Sequence, residues 1–216
     1  MAEIARIGPS DFLPLKLLGK GSFGAVFLVR CISTGRLHAM KVLHKQRILK
    51  SKLLTYAKTE RDILSKTEHP FIVHLDYAFQ TKTKLFFVQE FCPGGDLSSI
   101  IKLKKTLPEA IARSYLAEIL LALQDLHQRN IIYRDLKPDN IVIDGRGHAR
   151  LIDFGLAKAG VTENNSGTNS FCGSVSYLAP EMLIKQGHGK AIDWYLLGVL
   201  LYEMLCGKPP YFDENK

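Results

Sequence analysis

The sequence predicts an α+β fold in two parts, a small mostly-β lobe with one main helix followed by a larger mostly-helical lobe. Three observations carry this. Apolar runs of strand length flank a glycine-rich turn, Gly19-Lys20-Gly21-Ser22-Phe23-Gly24. After Pro93-Gly94-Gly95, a cluster of turn formers, the apolar spacing changes from strand-like to helical. Residues 109–129 then set Ala112, Leu116, Ile119, Leu120, Leu123 and Leu126 on one side of a long helix.

Residues 1–11 form an N-terminal extension and residues 12–92 the small lobe. Strands are predicted at 12–18 and 25–30, either side of the glycine turn, and Ser33-Thr34-Gly35 leads into a third at 37–43. Within 53–66, Leu53, Leu54, Ala57, Ile63 and Leu64 recur near a helical period on a charged background, which predicts the inserted helix. Apolar runs at 73–79 and 85–91 complete the lobe as strands. In the large lobe, 93–216, helices are predicted at 97–103 and 109–129, the second with Pro108 just ahead of its start. Short strands at 141–143 and 149–152 surround the turn Asp144-Gly145-Arg146-Gly147. The Asn, Ser, Gly and Thr content of 162–169 predicts a mobile loop. The longest apolar stretch, 196–201, is interrupted by Gly198 and closed by Glu203, which predicts a buried helix and no membrane span.

With 216 residues, 46% hydrophobic and 23% charged, the chain suits a globular protein and argues against disorder. The net charge of +8 raises nucleic acid as a partner, but the Lys and Arg residues are spread. Their densest run, 41–58, lacks interleaved stacking aromatics, so a solvated basic face is expected and nucleic acid is not. Cys31, Cys92, Cys172 and Cys206 are too far apart for a zinc motif or a disulfide framework. Residues 1–10 contain no apolar core of signal-peptide length. A reducing, cytoplasmic or nuclear location is the expectation.

A Gly-x-Gly-x-x-Gly turn also marks dinucleotide folds, where it opens a helix. Here Ala25-Val26-Phe27-Leu28-Val29 continues as strand, which favours a glycine turn closing over phosphates. Glycine has no Cβ, so backbone N–H groups approach phosphate oxygens closely. Lys41 interrupts the apolar strand Ala39-Met40-Lys41-Val42-Leu43 with a cation, and a buried cation requires an anion. Asp135 and Asn140 share a segment, Tyr133-Arg134-Asp135-Leu136-Lys137-Pro138-Asp139-Asn140, that Pro138 keeps out of regular helix. Asp153-Phe154-Gly155 and Ala179-Pro180-Glu181 follow it in order.

In that order the motifs resemble the eukaryotic protein kinase catalytic domain. The resemblance implies a bilobal protein-kinase-like fold and an ATP-dependent protein serine/threonine kinase that uses Mg²⁺. By it, Gly19, Lys20, Gly21, Ser22, Phe23 and Gly24 cover the phosphates, and Lys41, held by Glu60, pairs with them. Asp135 accepts the hydroxyl proton, Lys137 reaches the transferred phosphate, and Asn140 and Asp153 hold Mg²⁺. Adenine lies between Val26 and Ala39 above and Val142 below, against the backbone near Glu90 and Cys92, with Gln89 behind, and Asp96 is a further cofactor-binding residue.

Tyr133, where the family usually has His, is similar to the AGC group, which includes the cyclic-AMP-dependent kinase. So are Asp11-Phe12, Thr59-Glu60-Arg61-Asp62-Ile63-Leu64, Ser170-Phe171-Cys172-Gly173-Ser174 and Tyr177-Leu178-Ala179-Pro180-Glu181. Lys137 and Ser174, the latter in the substrate loop, resemble serine/threonine kinases. The group resemblance implies that Asp96, Asp139 and Glu203 hold arginines upstream of the target hydroxyl. It also implies that Ser170 is phosphorylated by an upstream kinase and received by Arg134 and Lys158. Two departures stand out: Val175-Ser176 replaces the usual Pro-Glu, and Glu163-Asn164-Asn165-Ser166-Gly167 lengthens the segment between Asp153 and Glu181.

The resemblance covers 12–216, with Asp193, Trp194, Gly198 and Glu203 matching the family's central large-lobe helix. The family domain continues for several more helices, so two expectations follow. One is a kinase represented by an incomplete large lobe; the other is a truncated, non-catalytic nucleotide-binding or regulatory module. In the family, Glu181 pairs with an arginine in the part not present here, and as a buried unpaired carboxylate it would cost on the order of 3–5 kcal/mol.

Overall fold

The computed structural model describes residues 7–21, 24–50, 54–164, 166–168, 175–184 and 187–212. Ser22, Phe23, Leu53, Asn165, Ser170 and Ser174, together with the rest of 169–174, lie outside the described residues.

Five strands form one antiparallel sheet in the order β1-β2-β3-β5-β4: β1 (Phe12–Gly21), β2 (Gly24–Cys31), β3 (Leu37–His44), β4 (Leu75–Gln80) and β5 (Lys84–Glu90). The glycine turn joins β1 to β2, whose register runs from Phe12↔Cys31 to Gly21↔Gly24. Phe12, Val29, Cys31, Met40, Val42, Phe86 and Val88 pack into a buried cluster. Because successive strand side chains alternate in direction, Met40 and Val42 point into that cluster and Lys41 points to the opposite face. That opposite face carries the site.

The chain between β3 and β4 forms two helices where one was predicted, α1 (Lys45–Lys50) and α2 (Leu54–Leu64). On α2 the buried residues are Ala57, Glu60, Ile63 and Leu64, so a carboxylate occupies an otherwise apolar face. Such a group must find a cation. Ile63 and Leu64 also belong to the largest core cluster, with Ile72, Leu123, Leu151 and Phe154, so the end of α2 packs directly on the helical part.

That part contains α3 (Leu97–Lys104), α4 (Glu109–Gln128), α5 (Pro180–Leu183) and α6 (Ala191–Cys206). Two small ladders pair β6 (Ile131–Ile132) with β9 (Lys158–Ala159), and β7 (Ile141–Ile143) with β8 (Ala149–Leu151). α3 starts at Asp96, whose carboxylate accepts from Ser99 N at 2.7 Å, an N-cap bond. α4 buries Ala112, Ile119, Ala122, Leu123, Leu126 and His127. Leu120, predicted for that face, is 40% exposed, because the buried stripe follows the 119, 123, 126 row and residue 120 points away from it. α6 is apolar nearly all round and packs on α4, burying Ile192, Leu196, Leu197, Val199 and Leu200.

Within 162–169, predicted as a loop, Glu163 O, Asn164 O and the Thr168 backbone bond to residues 188–191. One expectation is corrected. Glu181 is only partly buried, so the penalty for a dry unpaired carboxylate does not arise. No helix among the described residues is long and apolar enough to cross a membrane.

Candidate active site

A cavity of about 390 Å³ opens beneath the glycine turn. It is lined by Gly19, Lys20, Gly21, Gly24 and Val26 above, by Lys41, Leu43, Ile48, Tyr56, Ala57 and Glu60 at the side, and by Asp135, Asp153, Gly155 and Leu156 below. The glycines serve different ends. A Cβ at Gly19 or Gly21 would meet nothing within 4 Å, leaving backbone open to a ligand. A Cβ at Gly24 would fall 1.8 Å from Val42 O, so that glycine is required by the packing of β2 on β3.

Three charges from distant parts of the chain meet at the cavity wall. Lys41 Nζ lies 2.7 and 2.9 Å from the two Glu60 oxygens and 3.1 Å from Asp153 Oδ1. Burial works to lower the Lys41 pKa, but the two carboxylates outweigh it and hold the ammonium above its ordinary value. Burial likewise works to raise Asp153, yet Lys41 and the Gly155 N–H, 3.2 Å from Oδ1, keep it below the usual carboxylate range. The Glu60 side chain is 3% exposed and the Asp153 side chain 45%. Glu60 is thus fully committed to Lys41, while Asp153 retains oxygen surface for another partner.

Asp153 has φ +58° and Arg134 φ +69°, two of the four non-glycine residues with left-handed φ among the described residues. Backbone strain of this kind persists only where surrounding contacts enforce it. Tyr133 is wholly buried, stacks edge-on against Phe154 with centroids 5.2 Å apart, and donates its hydroxyl to Ile152 O. Ile152 N in turn donates to Asn140 O at 3.0 Å, so the two loops are stitched together one residue before Asp153.

Within the Asp135 loop, Lys137 Nζ lies 3.0 and 2.9 Å from the Asp135 oxygens. Asn140 Nδ2 donates to Asp135 O at 2.8 Å and to Asp135 Oδ2 at 2.7 Å. The amide nitrogen of Asn140 is therefore occupied, and its Oδ1 is the atom available to a metal. Burial raises the Asp135 carboxyl above its ordinary value, against the opposing pull of Lys137 and Asn140.

Ala39, Glu90, Cys92, Asp96 and Val142 are not among the residues lining the cavity. Ala39 pairs with Gln89, and Val142 bridges to Asp96. The Glu90 carboxylate turns to Arg150 at 2.8 Å, and Arg150 also holds Asp144 at 3.0 Å. The Cys92 thiol is buried and pushed up to about 12 by desolvation, aided by the Glu90 charge. Gln89 Nε2 is buried without a hydrogen-bond partner.

Of the residues expected at a protein substrate, Asp139 is exposed and Glu203 accepts the Tyr177 hydroxyl at 2.6 Å. Asp96 spends its carboxylate on the α3 cap. Of the expected regulatory cations, Arg134 is buried with Nε on Leu156 O at 2.7 Å, and Lys158 Nζ reaches Thr168 Oγ1 at 3.2 Å. Sequence reasoning missed the anchor of the whole loop. Asp193 of α6, wholly buried, accepts from Tyr133 N at 2.9 Å and Arg134 N at 2.8 Å and bonds His127 Nε2 at 2.7 Å. An acid in the first turn of a helix apolar nearly all round was the available signal.

The family model for the protein kinase domain matches residues 12–216. Protein kinase 3 of Dictyostelium discoideum is 46% identical over 222 residues, covering 99% of this chain and 24% of that protein. Ribosomal protein S6 kinase beta of Caenorhabditis elegans is 47% identical over 215 residues, covering 98% and 39% respectively. Serine/threonine-protein kinase AtPK1/AtPK6 of Arabidopsis thaliana is 48% identical over 209 residues, covering 97% and 44%. The chain spans less than half the length of these curated relatives. On the match across nearly all of its length, the chain belongs to the protein kinase domain family.

Proposed function

We propose that this chain binds ATP beneath the glycine turn and transfers its γ-phosphoryl group to a serine or threonine hydroxyl. The observation that carries the reading is the meeting of Lys41, Glu60 and Asp153 within 2.7–3.1 Å on the same cavity that Asp135 lines. A cation fixed by one dry carboxylate is suited to an oxyanion ligand, and a second, wetter carboxylate is suited to that ligand's metal. Residues 12–92 would supply most of the nucleotide contacts and residues 93–216 the reacting groups.

The donor set fits Mg²⁺, a hard ion that takes a carboxylate, a neutral oxygen and phosphate oxygens. Asp153 and Asn140 Oδ1 would hold it, and bound there it supplies charge neutralisation on the phosphates. Lys41 orients the α- and β-phosphates, with Glu60 keeping its ammonium in place. Asp135 takes the proton of the attacking hydroxyl, and its raised pKa makes it a better acceptor than an ordinary carboxylate while it is ionised. Lys137, already against Asp135, screens the transferred group. Positioning and charge stabilisation carry such a transfer.

The acids Glu203 and Asp139 support a preference for arginine upstream of the target residue, since arginine pairs bidentately with carboxylates. Phosphorylation of Ser170 by an upstream kinase, received by Arg134 and Lys158, is the regulatory part of the same reading. The test is to titrate Mg·ATP into the purified chain and to assay transfer from γ-labelled ATP to an arginine-rich serine peptide. Micromolar binding with transfer is expected. A folded sample that neither binds nor transfers would overturn the proposal.

A further inference from the structure

The stretch that departs from the AGC pattern lies against the start of α6. Lys190 N donates to Glu163 O at 3.2 Å and Ala191 N to Asn164 O at 2.9 Å. Thr168 and His188 exchange N–H···O bonds in both directions, at 3.2 and 2.9 Å. The first amides of a helix have no partner within it, and the α6 cap residue, Lys190, makes no side-chain cap. Two main-chain carbonyls of the insertion therefore do the work of a cap. The contact is close because residue 189 is glycine: a Cβ there would stand 2.3 Å from Glu163 O and 2.6 Å from both Asn164 O and Ser166 O.

What α6 carries makes this consequential. Asp193, in its first turn, holds the amides of Tyr133 and Arg134 directly ahead of Asp135. A shift of that first turn moves the Asp193 carboxylate, and with it the backbone from which Asp135 projects. His188, whose backbone pairs with Thr168, has its Nε2 buried with no hydrogen-bond partner, a cost that this arrangement carries.

We propose that the segment holding Glu163, Asn164 and Thr168 is an intramolecular strap that positions the catalytic loop through α6, with the Glu163 and Asn164 carbonyls as positioning groups and Gly189 as their seat. Its effect on rate rests on the kinase reading, whereas its effect on the loop does not. When the strap is docked, α6 is capped and Asp193 is fixed; when the strap is drawn away, both are released together.

The test uses the full chain and two variants at one position. Lys190 has φ −61°, which proline adopts, so Lys190→Pro deletes the N–H that donates to Glu163 O. Lys190→Ala keeps that N–H and loses the same side-chain bond from Nζ to Asn130 Oδ1, 2.9 Å. Hydrogen exchange at Ala191, Tyr133 and Arg134 should be about tenfold faster in Lys190→Pro than in Lys190→Ala, the size of a lost helix cap. Mg·ATP affinity should be unchanged and kcat for a serine peptide reduced. Equal exchange at Tyr133 and Arg134 in the two variants would overturn the strap, even if Ala191 alone responds. Should Lys190→Pro not fold, Gly189→Ala compared with the wild type applies the same criterion. If the wild type transfers no phosphate, the kinase reading fails and the exchange comparison still decides the strap.

Discussion

Lys41→Met separates what the Lys41–Glu60 pair does for the fold from what it does for the ligand. The substitution strips the ammonium from a carboxylate whose side chain is 3% exposed. Removing one partner of a buried pair leaves an uncompensated charge and costs about 3–5 kcal/mol. For a chain of this size that lowers Tm by roughly 10 °C. Asp153, far more exposed, turns to water and adds little. In Lys41→Met/Glu60→Leu no charge is stranded, and apolar replacement of a buried pair is close to neutral, so most of the lost stability returns. On the proposed function both variants lose nucleotide affinity, because the cation assigned to the phosphates is gone from both.

The pH dependence carries a sign. Burial already pushes the Glu60 carboxyl up against the pull of Lys41, and without Lys41 that push is unopposed. The folded single variant then binds a proton more readily than the unfolded chain, so its stability falls as pH rises above the unfolded carboxylate range. Urea denaturation at about pH 5 and about pH 8 measures this, with the larger deficit expected at the higher pH. A single variant as stable as the wild type, or a double variant no better than the single, would refute the account of a dry carboxylate held by one cation.

Asp153→Ala should lower single-turnover phosphoryl transfer by more than about 100-fold, with a smaller effect on nucleotide binding, since the lost carboxylate stabilises charge during transfer. The transfer rate should climb with pH through the raised Asp135 pKa, because the base must be ionised; a profile without that limb would remove Asp135 from the role. Glu203→Gln should weaken selection for upstream arginine by about tenfold in a peptide library, as one bidentate charge pair is lost.

Most strands were legible as apolar runs bounded by turn residues: β7 matches the expected span, and β3 and β8 end within a residue of it, whereas the two-residue strands β6 and β9 were too short to show. α1 was not, for a physical reason. A six-residue helix with one buried apolar side chain, Ile48, has too few positions to show a period. The contacts of 163–168 were not legible for a different reason, since polar side chains say nothing of carbonyls that cap another helix. Backbone-mediated contacts leave little trace in composition. Leu120 shows the remaining limit, because a stripe of apolar residues on a wheel does not reveal which edge meets the core.

The site divides along similar lines. Lys41 lies 19 residues from Glu60 and 112 from Asp153, and only the order of short motifs made that meeting readable. Asp193 was matched to a helix but given no role, because it acts through backbone amides that any sequence possesses. Exposure now distinguishes the acids by task. Glu60 and Asp193, at 3% and 0% side-chain exposure, have every oxygen engaged by protein donors and serve to hold other groups. Asp153, at 45%, keeps surface that no protein group covers, although it shares the same lysine with Glu60. On the proposed function, a carboxylate that binds a metal and releases it with product cannot also be the dry partner that fixes the cation, so the cluster needs two acids of unequal burial.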